Sequence, residues 1–417
     1  MVESDTRKDD YSAWMSKLSV SFHNPDQYMA SLRTIIAQGR KRVGLLVGAG
    51  APAGMARADG SRPLIPAVAG LTDLVLKAIE PTYGAQIIGL QNDLENHDIE
   101  TMLSRIRSLG SVLGTTEVHG LDGGGYRAMA DAICVEIGKI VQVRLPGGST
   151  AYGELVSWIT GAPRSHAVEI FTTNYDLLFE EALERARAPY FDGFAGAREA
   201  FFDPASVSGD QLPSRWTRLW KIHGSLGWKA NADGEVVRTG QTDSTHLIFP
   251  EHMKYNQTQK APYAALLDRL RSFLSTEDTL LVSIGFSFAD AHITARIDEA
   301  LAANPAASVF AFQFQKLDKE LCAVALASRR SNVSVYARDK AVINGVAAPW
   351  RTPGELPTKD WGPIRDSYWA APPTGGEAEF KLGAIEDFAR FFANSQTPQG
   401  FEPAPSPEAH PVPAITE

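Results

Sequence analysis

Cysteine is nearly absent. Cys134 and Cys322 are the only two in 417 residues, so neither a four-cysteine zinc site nor a disulfide framework can be assembled. A reducing, cytoplasmic setting is expected. Long apolar runs are also lacking: no stretch approaches the roughly 20 residues of a membrane-spanning helix. The first ten residues, Met1 to Asp10, are charged and hold no apolar targeting segment, so no membrane partner is expected. Positive charge is in deficit, with 40 Lys and Arg against 49 Asp and Glu and a formal net charge of −9. That balance argues against a general electrostatic grip on nucleic acid. The clusters Arg40-Lys41-Arg42 and Arg105-Ile106-Arg107 read as solvated surface or phosphate-side charge. No internal repeat is present, and no Gly-Lys-Ser/Thr follows Gly48, which disfavours a P-loop nucleotidase.

What is present is material for a large core: 44% hydrophobic against 21% charged residues, a globular balance. The length allows two to three domains, or one domain with a large insertion. The chain is organised around Val43-Gly44-Leu45-Leu46-Val47-Gly48-Ala49-Gly50-Ala51-Pro52-Ala53-Gly54, an apolar run breaking into glycines. It reads as a buried strand that ends in a sharp turn, where missing side chains let backbone amides approach something closely. A nucleotide diphosphate is one such object; a bare strand-to-helix turn is the other reading.

Residues 1–40 are expected to form a polar leader and a helix near Asp26–Gln38. A helix from Leu71 to Ile79 should stop before Pro81. Helical stretches at Ile87–Leu109 and Tyr126–Val143 suggest a helical insertion over about 82–150, followed by a helix at Ala151–Thr160. Strand patterns recur at Ala167–Thr173, Leu219–Ser225, His246–Pro250 and Leu280–Ser287, each read as a strand-to-helix junction, and Ala306–Gln315 and Asn332–Tyr336 complete the strand set. Alternating apolar strands and helices predict an α/β fold: a Rossmann-like, mostly parallel sheet flanked by helices, with a helical insertion after the first βα unit, over residues 41–340. Residues 341–417 are expected to be a C-terminal extension with a helix near Leu382–Phe392 and a proline-rich tail from about 396.

Ligands of such sheets bind outside the carboxyl ends of the strands, and four motifs fall there. Val47-Gly48-Ala49-Gly50, Thr173-Asn174-Tyr175-Asp176, His223-Gly224 and Gly285-Phe286-Ser287, in that order, resemble the SIR2 (sirtuin) superfamily: its dinucleotide loop, its Asn-x-Asp motif, its catalytic His-Gly and its later Gly-x-Ser contact. The resemblance covers roughly residues 40–340. It departs from the lysine deacylases of that superfamily at Ala51, where Ser or Thr is common, in lacking an Ile-Pro-Asp-Phe-Arg signature, and in lacking the zinc ribbon. The helical insertion and Thr172-Thr173-Asn174-Tyr175-Asp176 are similar to SIR2-like proteins of prokaryotic antiviral defence, whose activity is NAD+ hydrolysis.

The resemblance implies NAD+ as substrate, no zinc, Asn174 and His223 as catalytic residues, and Gly48, Ala49, Gly50, Ala51, Thr173, Asp176, Gly285, Ser287 and Asp290 as cofactor-binding residues. It further implies a homo-oligomer and a separate partner, a HerA-like ATPase first and a short Argonaute second. The chemistry agrees with the residue types. Nicotinamide leaves an already cationic glycoside as a neutral molecule, so no strong acid is needed, only an oriented ribose, a placed water and a base. An asparagine amide both donates and accepts, and an imidazole exchanges a proton near neutral pH. Structural readings stand beside these: Asn174 as a helix N-cap, His223 as a turn residue, and Ser287 and Asp290 as caps of the following helix. His97, His166, His246, His252 and His292 have no companions and read as structural. Other functions consistent with the motifs are an NAD-dependent deacylase or ADP-ribosyltransferase, and a non-catalytic nucleotide-binding subunit of a defence complex.

Overall fold

The apolar runs become strands of one large sheet in the computed structural model, which describes residues 21–231, 233, 235–240, 261–358, 361–371 and 378–396. In chain order the strands are β1 (Arg42–Val47), β2 (Glu169–Thr172), β3 (Tyr190–Phe191), β4 (Phe194–Ala195), β5 (Ala200–Phe202), β6 (Thr217–Lys221), β7 (Trp228–Ala230), β8 (Val236–Arg238), β9 (Thr279–Ile284), β10 (Ser308–Phe312), β11 (Val333–Tyr336), β12 (Lys340–Ile343), β13 (Val346–Pro349), β14 (Trp369–Ala370) and β15 (Glu379–Phe380). The main sheet runs β13-β12-β11-β10-β9-β1-β2-β6-β3, and β4-β5-β8-β7 form a small antiparallel sheet. From β11 across to β3 every pairing is parallel; β12 and β13 join antiparallel.

Strand alternation sends side chains into two cores. Leu45, Val47, Ile170, Leu219, Val282 and Ile284 enter one, while Leu46, Phe171, Trp220 and Leu281 enter the other. A sheet buried on both faces needs apolar residues at successive positions, which is why these runs are nearly continuous rather than alternating. The helices are α1 (Pro25–Ala37), α2 (Gly50–Ala53), α3 (Val68–Asp93), α4 (Ile99–Val112), α5 (Gly123–Val141), α6 (Ala151–Thr160), α7 (Leu178–Arg185), α8 (Pro204–Ser208), α9 (Tyr263–Ser275), α10 (Ala291–Ala303), α11 (Leu321–Arg329), α12 (Gly362–Tyr368) and α13 (Ile385–Asn394). Helices α2 to α6 lie between β1 and β2. Helix α1 is tied to α12: Arg365 forks onto Asp26, with Nε 3.1 Å from Oδ1, and the Tyr368 hydroxyl donates to the same carboxylate at 2.5 Å. Trp158 on α6 meets Phe392 on α13 edge-on, with ring centroids 4.7 Å apart.

Several expectations differ from this picture. The helix expected to stop before Pro81 continues as α3, broken only at Tyr83 (φ −124°, ψ 21°). Proline removes one hydrogen bond and forces a kink, but Ile79, Ile87 and Leu90 are all buried and hold both halves in the core. The stretch expected to be one helix from Ile87 to Leu109 is divided because Asp98 caps α4, its carboxylate accepting from Thr101 N at 2.7 Å. Strands do not end at Tyr336: Ile343-Asn344-Gly345-Val346 makes a hairpin with φ of 51° at Asn344 and 76° at Gly345, the geometry that Asn-Gly adopts most readily. After β6 the chain turns at Gly224 (φ 92°) and runs on to β7, not into a helix. The strand expected at His246–Pro250, His252, most of the leader and the proline-rich tail lie outside the described residues. No helix among the described residues is long and apolar enough to cross a membrane.

Candidate functional site

Parallel pairing puts the ends of six strands in one row. Lys221, Thr172, Val47, Ile284, Phe312 and Tyr336 are register partners, and each is the last residue of its strand. The predicted site residues therefore leave the sheet along one line. Asn174 and His223 each sit two positions beyond the partners Thr172 and Lys221. β1 is flanked by β2, which the chain reaches next, and by β9, which it reaches much later, so the crevice where open α/β sheets bind ligands falls at Gly48.

Close backbone approach is confirmed at the glycine loop, and the approaching object is another loop of the same chain. A Cβ on Gly48 would lie 2.4 Å from the Gly285 carbonyl oxygen, and one on Gly50 would lie 2.9 Å from Gly285 Cα. Gly285 itself has φ 65°, and a Cβ there would sit 2.3 Å from Ala51 N. Two turns thus interlock, which side chains at these positions would prevent. Three of the loop's amides are engaged within the protein: Gly48 N donates to Ile284 O (3.0 Å), Gly50 N to Gly285 O (2.9 Å) and Ala51 N to Gly48 O (3.0 Å). Among the described residues the Ala49 N–H has no acceptor. Ala51 is buried in the short α2.

Asn174 does not cap a helix. The next helix begins at Leu178, and Leu177 occupies its cap position with no side-chain bond. Instead Asn174 reaches across to β1: its Nδ2 donates to Gly48 O at 3.2 Å. Its own N–H is held by the Thr172 hydroxyl at 3.1 Å, and that hydroxyl donates to Val47 O at 2.9 Å. These bonds fix the amide with Oδ1 buried beside the Tyr152 phenol and without an aligned partner among the described residues. The phenol of Tyr152 on α6, fully buried, faces Asn174; burial, then the Asp176 carboxylate, push its pKa well up. Thr173 donates its N–H to Val47 O at 3.2 Å.

His223 is 6% exposed. Its Nε2 lies 3.1 Å from Asp290 Oδ2, without the alignment of a hydrogen bond. Asp290 has both roles considered for it. Its Oδ1 caps α10 by accepting from Ile293 N at 2.9 Å, while Oδ2 faces the imidazole. Burial pushes this carboxyl up, and His223 and the Ile293 N–H outweigh it, leaving the pKa below the usual range. Ser287 is exposed and accepts from Ala289 N at 3.3 Å, a turn contact. Phe288 beside it is buried with φ 59°, a conformation that costs a bulky residue about 1–3 kcal/mol and is held by Thr294 Oγ1 donating to its carbonyl at 3.0 Å.

Asp176 is 4% exposed, and its Oδ1 accepts from Leu178 N at 3.0 Å. Beneath it lie two residues that sequence reading did not single out. Lys221 Nζ donates to the Asp176 main-chain carbonyl and lies 3.3 Å from Glu180 Oε1. Burial pushes both the Asp176 and Glu180 carboxyls up, with Lys221 opposing. A charged residue closing the apolar run Leu219-Trp220-Lys221 was a readable signal. Tyr152, reached only by folding α6 against α7, left none. Among the described residues no group of three or more His, Cys, Asp or Glu could hold a metal.

Residues 168–334 match the SIR2-like domain family. That span contains Asn174, Asp176, His223, Gly285, Ser287 and Asp290 and begins after the Gly48–Ala51 loop. Two solved structures share low similarity with the chain. A Sir2 enzyme is 11% identical, covering 68% of this chain and 84% of its own, with a TM-score of 0.32. A Sir2 homologue in complex with NAD is 12% identical, covering 71% and 85%, with a TM-score of 0.27. No curated protein matches the chain by sequence.

Proposed function

We propose that this chain cleaves NAD+ at the nicotinamide–ribose bond, giving nicotinamide and, by hydrolysis, ADP-ribose, or without water its cyclic form. The observation that carries this reading is a pair of buried side chains at neighbouring strand ends: Asn174, whose Oδ1 lies beside the Tyr152 phenol without an aligned bond among the described residues, and His223, whose Nε2 lies 3.1 Å from Asp290 Oδ2. Buried polar atoms are ordinarily paired, and a ribose hydroxyl or a water is a partner of the right kind for the Asn174 oxygen. The SIR2-like match over residues 168–334 supports NAD+ as the molecule that brings them.

Each residue's part follows from its contacts. Asn174, fixed through Gly48 O and Thr172, accepts from a ribose hydroxyl or from the attacking water. His223 takes the proton released as that water adds to the anomeric carbon, through the ring nitrogen that Asp290 does not face, while Asp290, facing Nε2, orients the ring and stabilises its charged form. The C–N bond breaks toward nicotinamide, which leaves neutral, so no acid is required at that end. Gly48, Ala49, Gly50 and Ala51 line the diphosphate side, with the Ala49 N–H as the available donor. Asp176 lies on the nicotinamide side, and Thr173, Gly285 and Ser287 complete the wall. The motif order supports a role as an antiphage effector that depletes NAD+, working as a homo-oligomer with a separate sensor such as a HerA-like ATPase.

Incubation of the purified protein with NAD+, alone and with the product of the adjacent reading frame, tests the activity. Release of nicotinamide together with ADP-ribose is expected. NAD+ bound without turnover in both settings would instead make it a nucleotide-binding subunit, and turnover only with an acylated or protein acceptor would make it a transferase.

A further inference from the structure

Lys221 is 2% exposed at the end of β6. Burying an ammonium is costly, and an apolar side chain of similar volume is often neutral or stabilising in its place. A lysine here needs its directional bonds, and it has two: the main-chain carbonyl of Asp176 and the carboxylate of Glu180 on α7. The first joins the strand end bearing His223 to the turn bearing Asn174. Backbone ties flank it, with Ile222 N donating to Thr172 O and Leu226 N to Tyr175 O, each at 2.9 Å. The side-chain bond thus adds a tie at Asp176 to the backbone ties at Thr172 and Tyr175.

We propose that Lys221 is a positioning residue: braced by Glu180, it holds the Asn174–Asp176 turn against the His223 strand end and sets the spacing at which Asn174 and His223 meet a substrate. This rests on the NAD+ reading for its kinetic consequences but not for its structural one. The charged groups around the ammonium are Asp176, Glu180 and Asp192, the last paired with Arg238 at 3.1 Å, and the phenols of Tyr152 and Tyr190 face the Glu180 carboxylate.

Three variants test it: Lys221→Met, Lys221→Arg, and Lys221→Met combined with Glu180→Gln, which removes the Glu180 charge together with its cation. Misplacing a reacting group by about 1 Å costs on the order of 100-fold in rate, so kcat is expected to fall about 10- to 100-fold in Lys221→Met and in the double variant, with KM changing much less. The acid limb of the pH–rate profile should move to higher pH in Lys221→Met, because Asp176 and Glu180 lose the cation that favours their charged forms. Lys221→Arg should recover part of the rate. Backbone amide exchange at Asn174–Asp176 should speed up in both methionine variants. A folded double variant with wild-type kcat overturns the proposal. Should the wild-type protein fail to hydrolyse NAD+, the functional reading falls, and the exchange measurement alone decides: unchanged protection at Asn174–Asp176 overturns the positioning role as well.

Discussion

The two rims of the central sheet both bury charge, and they treat it differently. At the amino rim, Glu169 receives a two-pronged bond from Arg269, Nε to Oε2 at 2.8 Å and Nη2 to Oε1 at 2.5 Å, and a third from Trp220 Nε1 at 2.7 Å. Asp210 joins Arg269 at 2.8 Å to Arg42 at 2.9 Å. Burial pulls the Arg269 pKa down, and these carboxylates more than reverse it, holding it above its ordinary value. At the carboxyl rim, Asn174 Oδ1, Glu180 Oε2, the Tyr152 hydroxyl and His223 Nε2 are buried with no aligned partner. The amino rim has orphans too, Arg218 Nε and Thr279 Oγ1, but Arg218 donates its two other nitrogens to the Trp216 and Leu212 carbonyls. Paired charge holds strands together. The polar atoms of the carboxyl rim lie beside one another, Tyr152 next to Asn174 and His223 next to Asp290, without that closure.

If the comparison is right, substitutions at the two rims separate activity from stability. Asn174→Ala and His223→Ala should each lower NAD+ turnover by about 100-fold to 10,000-fold, the range for a positioned proton-transfer group, while circular dichroism and the unfolding midpoint stay near wild type. Glu169→Ala should do the reverse: it strands Arg269 in the interior, an effect of about 3–5 kcal/mol read by denaturant unfolding, with turnover per folded molecule little changed. Gly285→Ala probes the interlock between the two loops of the carboxyl rim that follow β1 and β9. Its Cβ would meet Ala51 N in a left-handed backbone, so a loss of about 1–3 kcal/mol is expected, measured as a lowered midpoint together with weaker NAD+ binding.

The smallest effect is pH-dependent. The Asp290 carboxyl is held below its ordinary range in the folded protein, so its contribution to stability is present above the unfolded value, roughly 3.9, and is lost as pH falls through the folded value. Asp290→Asn, which keeps a capping side chain, should be about 1 kcal/mol less stable than wild type near neutral pH. The gap should close on acidification below about pH 4. A gap that persists at low pH would mean that Asp290 acts through the cap rather than through His223.

Much of the architecture was legible because its causes are local. Continuous apolar runs such as Leu45–Val47 and Leu280–Ile284 belong to strands buried on both faces, and the residues after them had to be turn residues. Pro81 was legible as a break, but its outcome as a kink inside α3 depended on burial of Ile79, Ile87 and Leu90 on either side. The Asn344-Gly345 hairpin had a local signal that the proline- and tryptophan-rich sequence after it obscured. Tyr152 had none, since its position beside Asn174 depends on how α6 lies against α7.

The sequence by itself determined the long central strands, the order of their glycine, asparagine and histidine motifs, and the exclusion of a four-cysteine zinc site, since each follows from residue type and spacing along the chain. Only the tertiary structure decided what those residues touch. It set Gly48 and Gly50 against Gly285, turned Asn174 away from capping and toward the Gly48 carbonyl, faced Asp290 to His223, and placed Lys221 beneath the Asn174–Asp176 turn. Contacts between strand ends far apart in sequence depend on register and crossing, which no local pattern encodes.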